Sequence, residues 1–386
     1  MSTQAGFPRG KAAIVGAATF GLGKAPGYEA IELAAQASLL ALADAGLRPG
    51  DVDALFIAQP QDTLAGLTFA EYLGIQPKIT DNNRTGGSAF LLHLAHAALL
   101  LDAGLCEVAL IAYGSNQATA AGALVSTSRS SAYEAPYKPL RPVSSYALAA
   151  ARHMHQYGTT KRHFAEVAVA ARRWAQLNPE AAERGDLSID DVLNARLVSD
   201  PLGVRDCCLV TDGAAAIVVT HADRARDQAR PPVYVLGAAS AVTHADISSM
   251  PDLTVTAAVE SGARAYAQAR VKPGDIDVLQ LYDAFTINPI LFLEDLGFCP
   301  KGEGGRFVEG GRIAPGGALP VNTNGGGLSC CHPGMYGLFT VVESTRQLRG
   351  DAGARQVAGA RLALAHGNGG VLSSQATVIL GTGETL

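Results

Sequence analysis

Ala43-Asp-Ala-Gly-Leu-Arg-Pro-Gly-Asp-Val-Asp-Ala-Leu-Phe56 returns later in the chain as Ala267-Gln-Ala-Arg-Val-Lys-Pro-Gly-Asp-Ile-Asp-Val-Leu-Gln-Leu281. In both copies a helix-like run meets Pro-Gly-Asp-x-Asp and then apolar residues, which reads as a helix stop, a turn and a strand start. Upstream, the buried-strand run Lys11-Ala-Ala-Ile-Val-Gly-Ala-Ala-Thr19 is answered by Pro232-Val-Tyr-Val-Leu-Gly-Ala-Ala-Ser240. The offset is 221 residues from Val15 to Leu236 and 224 from Pro49 to Pro273, so the two matches keep step. Downstream, Val108-Ala-Leu-Ile-Ala-Tyr-Gly114 is answered by Leu362-Ala-Leu-Ala-His-Gly367, each a strand ending in a ring and a glycine. Between them, Asn83-Arg-Thr-Gly-Gly-Ser-Ala-Phe90 precedes an Ala/Leu-rich helix, as the glycine-rich run from Asn322 to Gly337 precedes a second one.

The pattern predicts an α/β protein: two copies of a β-α-β-α-β unit, with parallel strands covered by helices, packed as a layered α-β-α-β-α body. The halves are residues 1–225 and 226–386. The first carries an insertion at about 116–202, with one helix from an N-cap at Ser144 to His155 and another over His163–Ala175. An insertion of that size over strand ends is expected to cover a site, since ligands of such sheets bind at the carboxyl ends of the strands.

Composition narrows the function. The chain has 386 residues, 48% of them hydrophobic and 17% charged, which is enough to bury a large core. A net charge of −5 offers no basic surface for nucleic acid, and no apolar run approaches a membrane span. The N-terminal run lacks the apolar core of a secretion signal. Six cysteines, none spaced CxxC, suit a reducing cytoplasm better than a disulfide framework or a zinc site.

Asn322-Thr-Asn-Gly-Gly-Gly-Leu-Ser-Cys-Cys-His-Pro-Gly-Met-Tyr-Gly337 puts three consecutive glycines, two thiols and an imidazole into one turn, and it reads as the floor of an active site. Other features read as structure. Cys207 and Cys208 precede a buried strand, and His93, His96, His153 and His155 lie on helices as packing or solvent residues. Lys161-Arg-His163 reads as a solvated helix start, and Gly302–Gly305 and Gly310–Gly317 as turns that could also wall a substrate tunnel.

These loops resemble, over almost the whole chain, the thiolase superfamily, particularly its lipid-transfer (sterol-carrier) thiolase-like branch. Asn324-Gly-Gly-Gly327 with Cys331-His332-Pro333 resembles the family's NxGG…GHP loop, and His366-Gly-Asn-Gly-Gly370 resembles its C-x-G-G-G loop. Tyr282-Asp-Ala-Phe285 resembles N-E-A-F, and Asp206-Cys-Cys-Leu-Val-Thr-Asp-Gly-Ala-Ala-Ala216 resembles the branch's D-x-x-x-x-x-D-G-A-A-A run. The resemblance implies chemistry that makes or breaks a carbon–carbon bond next to an acyl-CoA thioester. Coenzyme A enters as part of the substrate, with no permanently bound cofactor and no metal.

The departures are specific. Where a thiolase keeps its nucleophilic cysteine this chain has Thr85-Gly-Gly-Ser88, with no cysteine nearer than Cys106. His366 stands where the second catalytic cysteine falls, and Tyr282-Asp283 where the family has asparagine and glutamate. An aldol or retro-aldol step needs no acyl-enzyme, only a base for a β-hydroxyl and donors for an enolate. His332 and His366 are expected to move protons or polarise the oxyanion, Tyr282 to serve as hydroxyl base or donor, and Tyr336 to assist. Asn324 with the backbone of Gly325, Gly326 and Gly327 would shape the oxyanion environment, and Gly369 and Gly370 would line the acyl-CoA site. Steroid side-chain-cleaving aldolases share this fold, the lost nucleophile and a reliance on tyrosines, which implies a partner built from an OB-fold and a zinc ribbon. A homodimer is the minimum assembly the resemblance implies. Two alternatives stand beside the aldolase: an acyltransferase using Ser88 or Cys331, and a non-catalytic acyl-CoA or lipid-binding subunit.

Overall fold

The computed structural model describes residues 6–60, 62–120, 132–226 and 230–386, so 121–131 of the expected insertion lie outside the described residues. The first half runs β1 (Ala12–Gly23), α1 (Ala30–Asp44), β2 (Ala54–Ile57), α2 (Ala65–Leu73), β3 (Ile79–Asp81), α3 (Ala89–Asp102) and β4 (Val108–Ser115). The insertion helices α4 (Val143–Tyr157) and α5 (Lys161–Gln176) follow, and then β5 (Asp212–His221). The second half runs β6 (Val233–Val242), α6 (Ala258–Ala269), β7 (Val278–Leu281), α7 (Ile287–Asp295), α8 (Gly337–Arg349), β8 (Leu362–Gly369) and β9 (Ser374–Gly381).

Hydrogen bonding orders the main sheet β3-β2-β4-β5-β1-β6-β9-β8-β7. Read outward from the centre, β1-β5-β4-β2-β3 is mirrored by β6-β9-β8-β7, and even β3 has a trace of a counterpart in a parallel bridge between Leu279 and Val321. The halves meet through a short antiparallel contact, Ala13 opposite Tyr234 and Ile14 opposite Val233. The expectation of parallel strands holds only in part. β2 runs parallel to β3 and β4, and β7 to β8, but β5 and β9 pair antiparallel with both neighbours. The cause is the final strand of each unit, which turns back between the first strand and the parallel pair.

Layering follows from burial. Helix α1 packs on β1, β4 and β5, and α6 on β6 and β9, whereas α3 and α8 touch strands of both halves and are buried on nearly every side. The order is therefore helix, strands, paired central helices, strands, helix. The matched glycines of the repeat explain the close seating of the outer helices. A Cβ on Gly16 would lie 2.0 Å from the Ala41 carbonyl oxygen of α1, and one on Gly237 would lie 2.4 Å from the Ala265 oxygen of α6. The same backbone contact thus demands glycine twice.

Two details of the insertion differ from expectation. Helix α4 begins at Val143 after Pro142, and Ser144 caps nothing: its hydroxyl accepts from the Leu140 amide at 3.0 Å. Helix α5 starts at Lys161, where the His163 ring accepts the Thr160 amide at 3.2 Å.

Candidate active site

Both glycine-rich loops and both matched strand ends converge at the N-termini of α3 and α8. Tyr282 is the first residue beyond β7, and its amide is fixed by the His366 carbonyl at 3.0 Å. Its ring is seated on the first loop: a Cβ on Gly87 would fall 2.0 Å from Tyr282 Cε2. Its hydroxyl lies 3.0 Å from His332 Nε2, with the rings edge to face at 5.5 Å. Tyr336, just before α8, donates from its hydroxyl to Asn324 Oδ1 at 2.8 Å and stands 5.8 Å from the Tyr282 ring.

These groups are buried, and burial sets their charge. It holds both phenols well above the usual tyrosine range and pulls His332 down to about 4. Near neutral pH the pair is therefore a neutral phenol against a neutral imidazole. His332 is held from behind: its amide donates to Thr211 Oγ1 at 3.0 Å, and the Tyr113 hydroxyl at the end of β4 donates to the Pro333 carbonyl.

The glycine run is a tight π-type turn over Gly326–Cys330, entered through left-handed Gly325 and Gly326. Its amides are already spent. Gly325 N–H donates to the Asn322 carbonyl, Gly326 N–H to Asn324 Oδ1 and Gly327 N–H to Asp283 Oδ1 at 2.6 Å. These glycines shape the loop but have no free donor for a substrate oxygen, which corrects that part of the expectation. Asp283, noted in the sequence at the family's glutamate place but given no role there, is the clamp beneath them: a Cβ on Gly326 would meet its carboxylate at 2.0 Å. Burial raises its carboxyl to about 7, against the pull of the Gly327 amide.

Other expected residues lie differently. His366 points away from the pair, on the face of β8 opposite Gly367, with its ring against Phe292 at 4.5 Å. Both its nitrogens are taken, Nδ1 by Thr377 and Nε2 by Gln375, each at 2.9 Å, and burial lowers it to about 4. Ser88 stands at the start of α3, but its hydroxyl is bonded to Thr85 O at 2.9 Å and Ser374 Oγ at 2.8 Å, with no imidazole among its partners. Gly369 and Gly370 serve loop contact: a Cβ on Gly369 would lie 1.6 Å from the Thr85 carbonyl oxygen.

Cys106, Cys207, Cys208, Cys299 and Cys331 are poor nucleophiles. Burial raises Cys106 to about 11 and Cys207 and Cys299 to about 12, and pushes Cys208 and Cys331 higher still. An attacking cysteine needs the opposite shift. No group of three or more His, Cys, Asp or Glu side chains suited to a metal ion occurs among the described residues.

Mirrored halves around paired central helices, with the candidate side chains on the loops between them, define the thiolase fold. A family model described as Thiolase C-terminal domain-like matches residues 239–382. The chain is 35% identical over 387 residues to the 17-hydroxy-3-oxo-4-pregnene-20-carboxyl-CoA lyase of Mycobacterium tuberculosis, covering 95% of this chain and 98% of the lyase. It is 34% identical over 351 residues to the acetyl-CoA acetyltransferase of Methanothermobacter thermautotrophicus, covering 88% and 91%. The solved Ltp2-ChsH2(DUF35) aldolase superposes with a TM-score of 0.89 at 33% identity, over 97% of this chain and 98% of that one. The chain belongs to the thiolase superfamily, in its lipid-transfer (sterol-carrier) thiolase-like branch.

Proposed function

We propose that this protein is an acyl-CoA aldolase, cleaving or forming the carbon–carbon bond between Cα and a hydroxyl-bearing Cβ of a CoA thioester. The observation that carries the reading is the buried Tyr282–His332 pair at 3.0 Å, beside a first loop that holds Thr85-Gly-Gly-Ser88 in place of a thiol. In the cleavage direction Tyr282 Oη takes the β-hydroxyl proton as its own proton passes to His332 Nε2. The Cα–Cβ electron pair moves into the thioester as an enolate, the hydroxyl carbon becomes a carbonyl, and a proton returned to Cα completes the balance. The N-terminus of α3, with the positive end of its dipole, supports the enolate oxygen. Tyr336 and Asn324 hold the other wall.

Two relatives named as a CoA lyase and an aldolase support the reading. The relative named as an acetyltransferase favours acyl transfer instead, but here Ser88 has no imidazole partner and burial keeps Cys331 protonated. The two-component name of the solved aldolase supports a small protein partner, expected to be an OB-fold joined to a zinc ribbon. A homodimer and a cytoplasmic setting complete the proposal. No helix among the described residues is long and apolar enough to cross a membrane. The division into halves at residues 225 and 226 is part of the same reading.

The test is incubation with a panel of β-hydroxyacyl-CoA esters, with and without the partner, following the shortened thioester and the released carbonyl compound by mass spectrometry. Tyr282→Phe should slow the appearance of both products by about 10²- to 10⁴-fold. A stable acetyl adduct on Ser88 or Cys331 after incubation with acetyl-CoA would overturn the aldolase in favour of the acyltransferase.

A further inference from the structure

A single file of buried hydrogen bonds crosses the molecule behind the site. It runs from Ser261 Oγ to Thr377 Oγ1 (2.9 Å), to His366 Nδ1 (2.9 Å), and from His366 Nε2 to Gln375 Oε1 (2.9 Å). From there Gln375 Nε2 donates to Asn368 Oδ1 (2.8 Å), Asn368 Nδ2 to Tyr146 Oη (2.8 Å), and the Tyr146 hydroxyl to the Gly370 carbonyl (3.1 Å). Every side chain in the file is buried, and only the terminal Gly370 is exposed.

The last link fixes all the others. A carbonyl can only accept, so the single hydrogen of Tyr146 points at Gly370 and its oxygen must receive the Asn368 amide. Asn368 then turns its oxygen to Gln375, and Gln375 turns its oxygen to His366, which must carry its proton on Nε2. Nδ1 accepts from Thr377, and Thr377 accepts from Ser261. The Asn288 amide, which has no other hydrogen-bond partner, lies beside the Tyr146 hydroxyl as a donor toward its oxygen, favouring the ionised phenol as the Asn368 amide does, so it does not compete with Gly370 for the hydroxyl hydrogen.

The file ends on the loop that seats the reacting ring. A Cβ on Gly87 would lie 2.8 Å from the Asn368 carbonyl oxygen as well as 2.0 Å from Tyr282 Cε2, and Gly369 lies against Thr85. Tyr146 comes from the insertion helix α4 and also packs at a tilt of 31° against Phe285, beyond Tyr282 in the same loop, with ring centroids 4.3 Å apart. We infer that Tyr146 is a positioning residue: it ties the insertion to the Asn368–Gly370 loop and so holds Gly87 and the Tyr282 ring in register with His332. His366, at the place of a thiolase cysteine, is a relay in that brace.

The catalytic part rests on the aldolase reading, so the test has two arms. In the first, needing no substrate, selectively labelled ¹⁵N-histidine NMR should show His366 neutral with its proton on Nε2. Tyr146→Phe should speed amide exchange over residues 367–370 by about tenfold or more while thermal stability stays close to wild type. In the second, Tyr146→Phe should lower kcat about ten- to a hundredfold with KM nearly unchanged. Gln375→Glu, which cannot donate to Asn368 but leaves the Tyr146–Phe285 ring contact intact, should do the same. If wild type cleaves no β-hydroxyacyl-CoA ester, the aldolase reading fails while the first arm still decides the brace. An Nδ1-protonated or charged His366, unchanged exchange over 367–370, or full kcat in both variants would each overturn the inference.

Discussion

At the scale of single residues, the site depends on which hydrogens are held where. Burial keeps Tyr282 protonated and His332 neutral, so the imidazole can accept a proton over the whole neutral range. Two outcomes follow from that. Replacing the acceptor (His332→Ala) or the hydroxyl (Tyr282→Phe) should cost about 10²- to 10⁴-fold in kcat, the usual worth of a positioned acid–base group. The acid limb of the kcat profile should stay flat down through pH 6 and fall only as pH approaches about 4, where His332 gains its proton. A limb breaking near pH 6.5 would mean that another histidine carries the step. Placement matters as much as charge. Gly87→Ala would push a methyl group into the Tyr282 ring, 2.0 Å from Cε2, without requiring a left-handed backbone. Its expected effect is a loss of about 10²-fold in kcat together with a lowered melting temperature, read by steady-state kinetics beside a thermal melt.

Among the elements, the loops were legible where chemistry repeated and illegible where only packing decided. His332, Tyr336 and Asn324 stand out because rings and an amide share one glycine-rich turn before a helix, and Tyr282 because it ends a strand in a loop that resembles N-E-A-F. Asp283 and Tyr146 gave no such signal: one is a single acid in a strand-end loop, the other a tyrosine on an alanine-rich helix whose partners lie 222 and 224 residues away. His366 misled for the converse reason, since its position in the motif was right and only the strand's alternation turned its ring to the other face. The Asp206–Ala216 run shows the same distinction. Asp206 accepts the Thr286 hydroxyl at 2.8 Å, and Asp212 gathers the amides of Ala25, Ala118 and Thr119. Both aspartates of that motif therefore staple loops around the site. The π-type turn offers a direct measurement. Gly326 has φ 64° and faces the Asp283 carboxylate at 2.0 Å from any added Cβ, so Gly326→Ala should destabilise the fold by at least about 1–2 kcal/mol from the backbone alone. Urea unfolding reads this directly, and a neutral result would mean that the turn relaxes without cost.

Over the whole molecule, the repeat made the layers and the helix seating readable, because Pro-Gly-Asp-x-Asp and the paired Gly16 and Gly237 answer local demands. The antiparallel return of β5 and β9 was not readable, since strand direction depends on where a long connection re-enters the sheet. The same dense core carries a liability to acid. His93, between the rings of Phe56 and Phe90 with both nitrogens unpartnered, is held at about 4 by burial, as are His332 and His366. In the unfolded chain such imidazoles titrate near 6.5, so between about pH 6.5 and 4 the unfolded state binds the additional protons, and stability falls as pH falls. Buried carboxyls raised in the fold, Asp283 to about 7 among them, act in the opposite sense, so the slope of the intact protein is a difference of the two. Removing one imidazole isolates its share. His93 takes no part in the proposed reaction, and His93→Leu deletes one proton taken up on unfolding. The dependence of unfolding free energy on pH should therefore become less steep by about 1 kcal/mol per pH unit between pH 4.5 and 6, with kcat unchanged. Parallel urea titrations of wild type and variant measure the difference, and equal slopes would show that His93 is already charged, or already hydrated, in the folded protein.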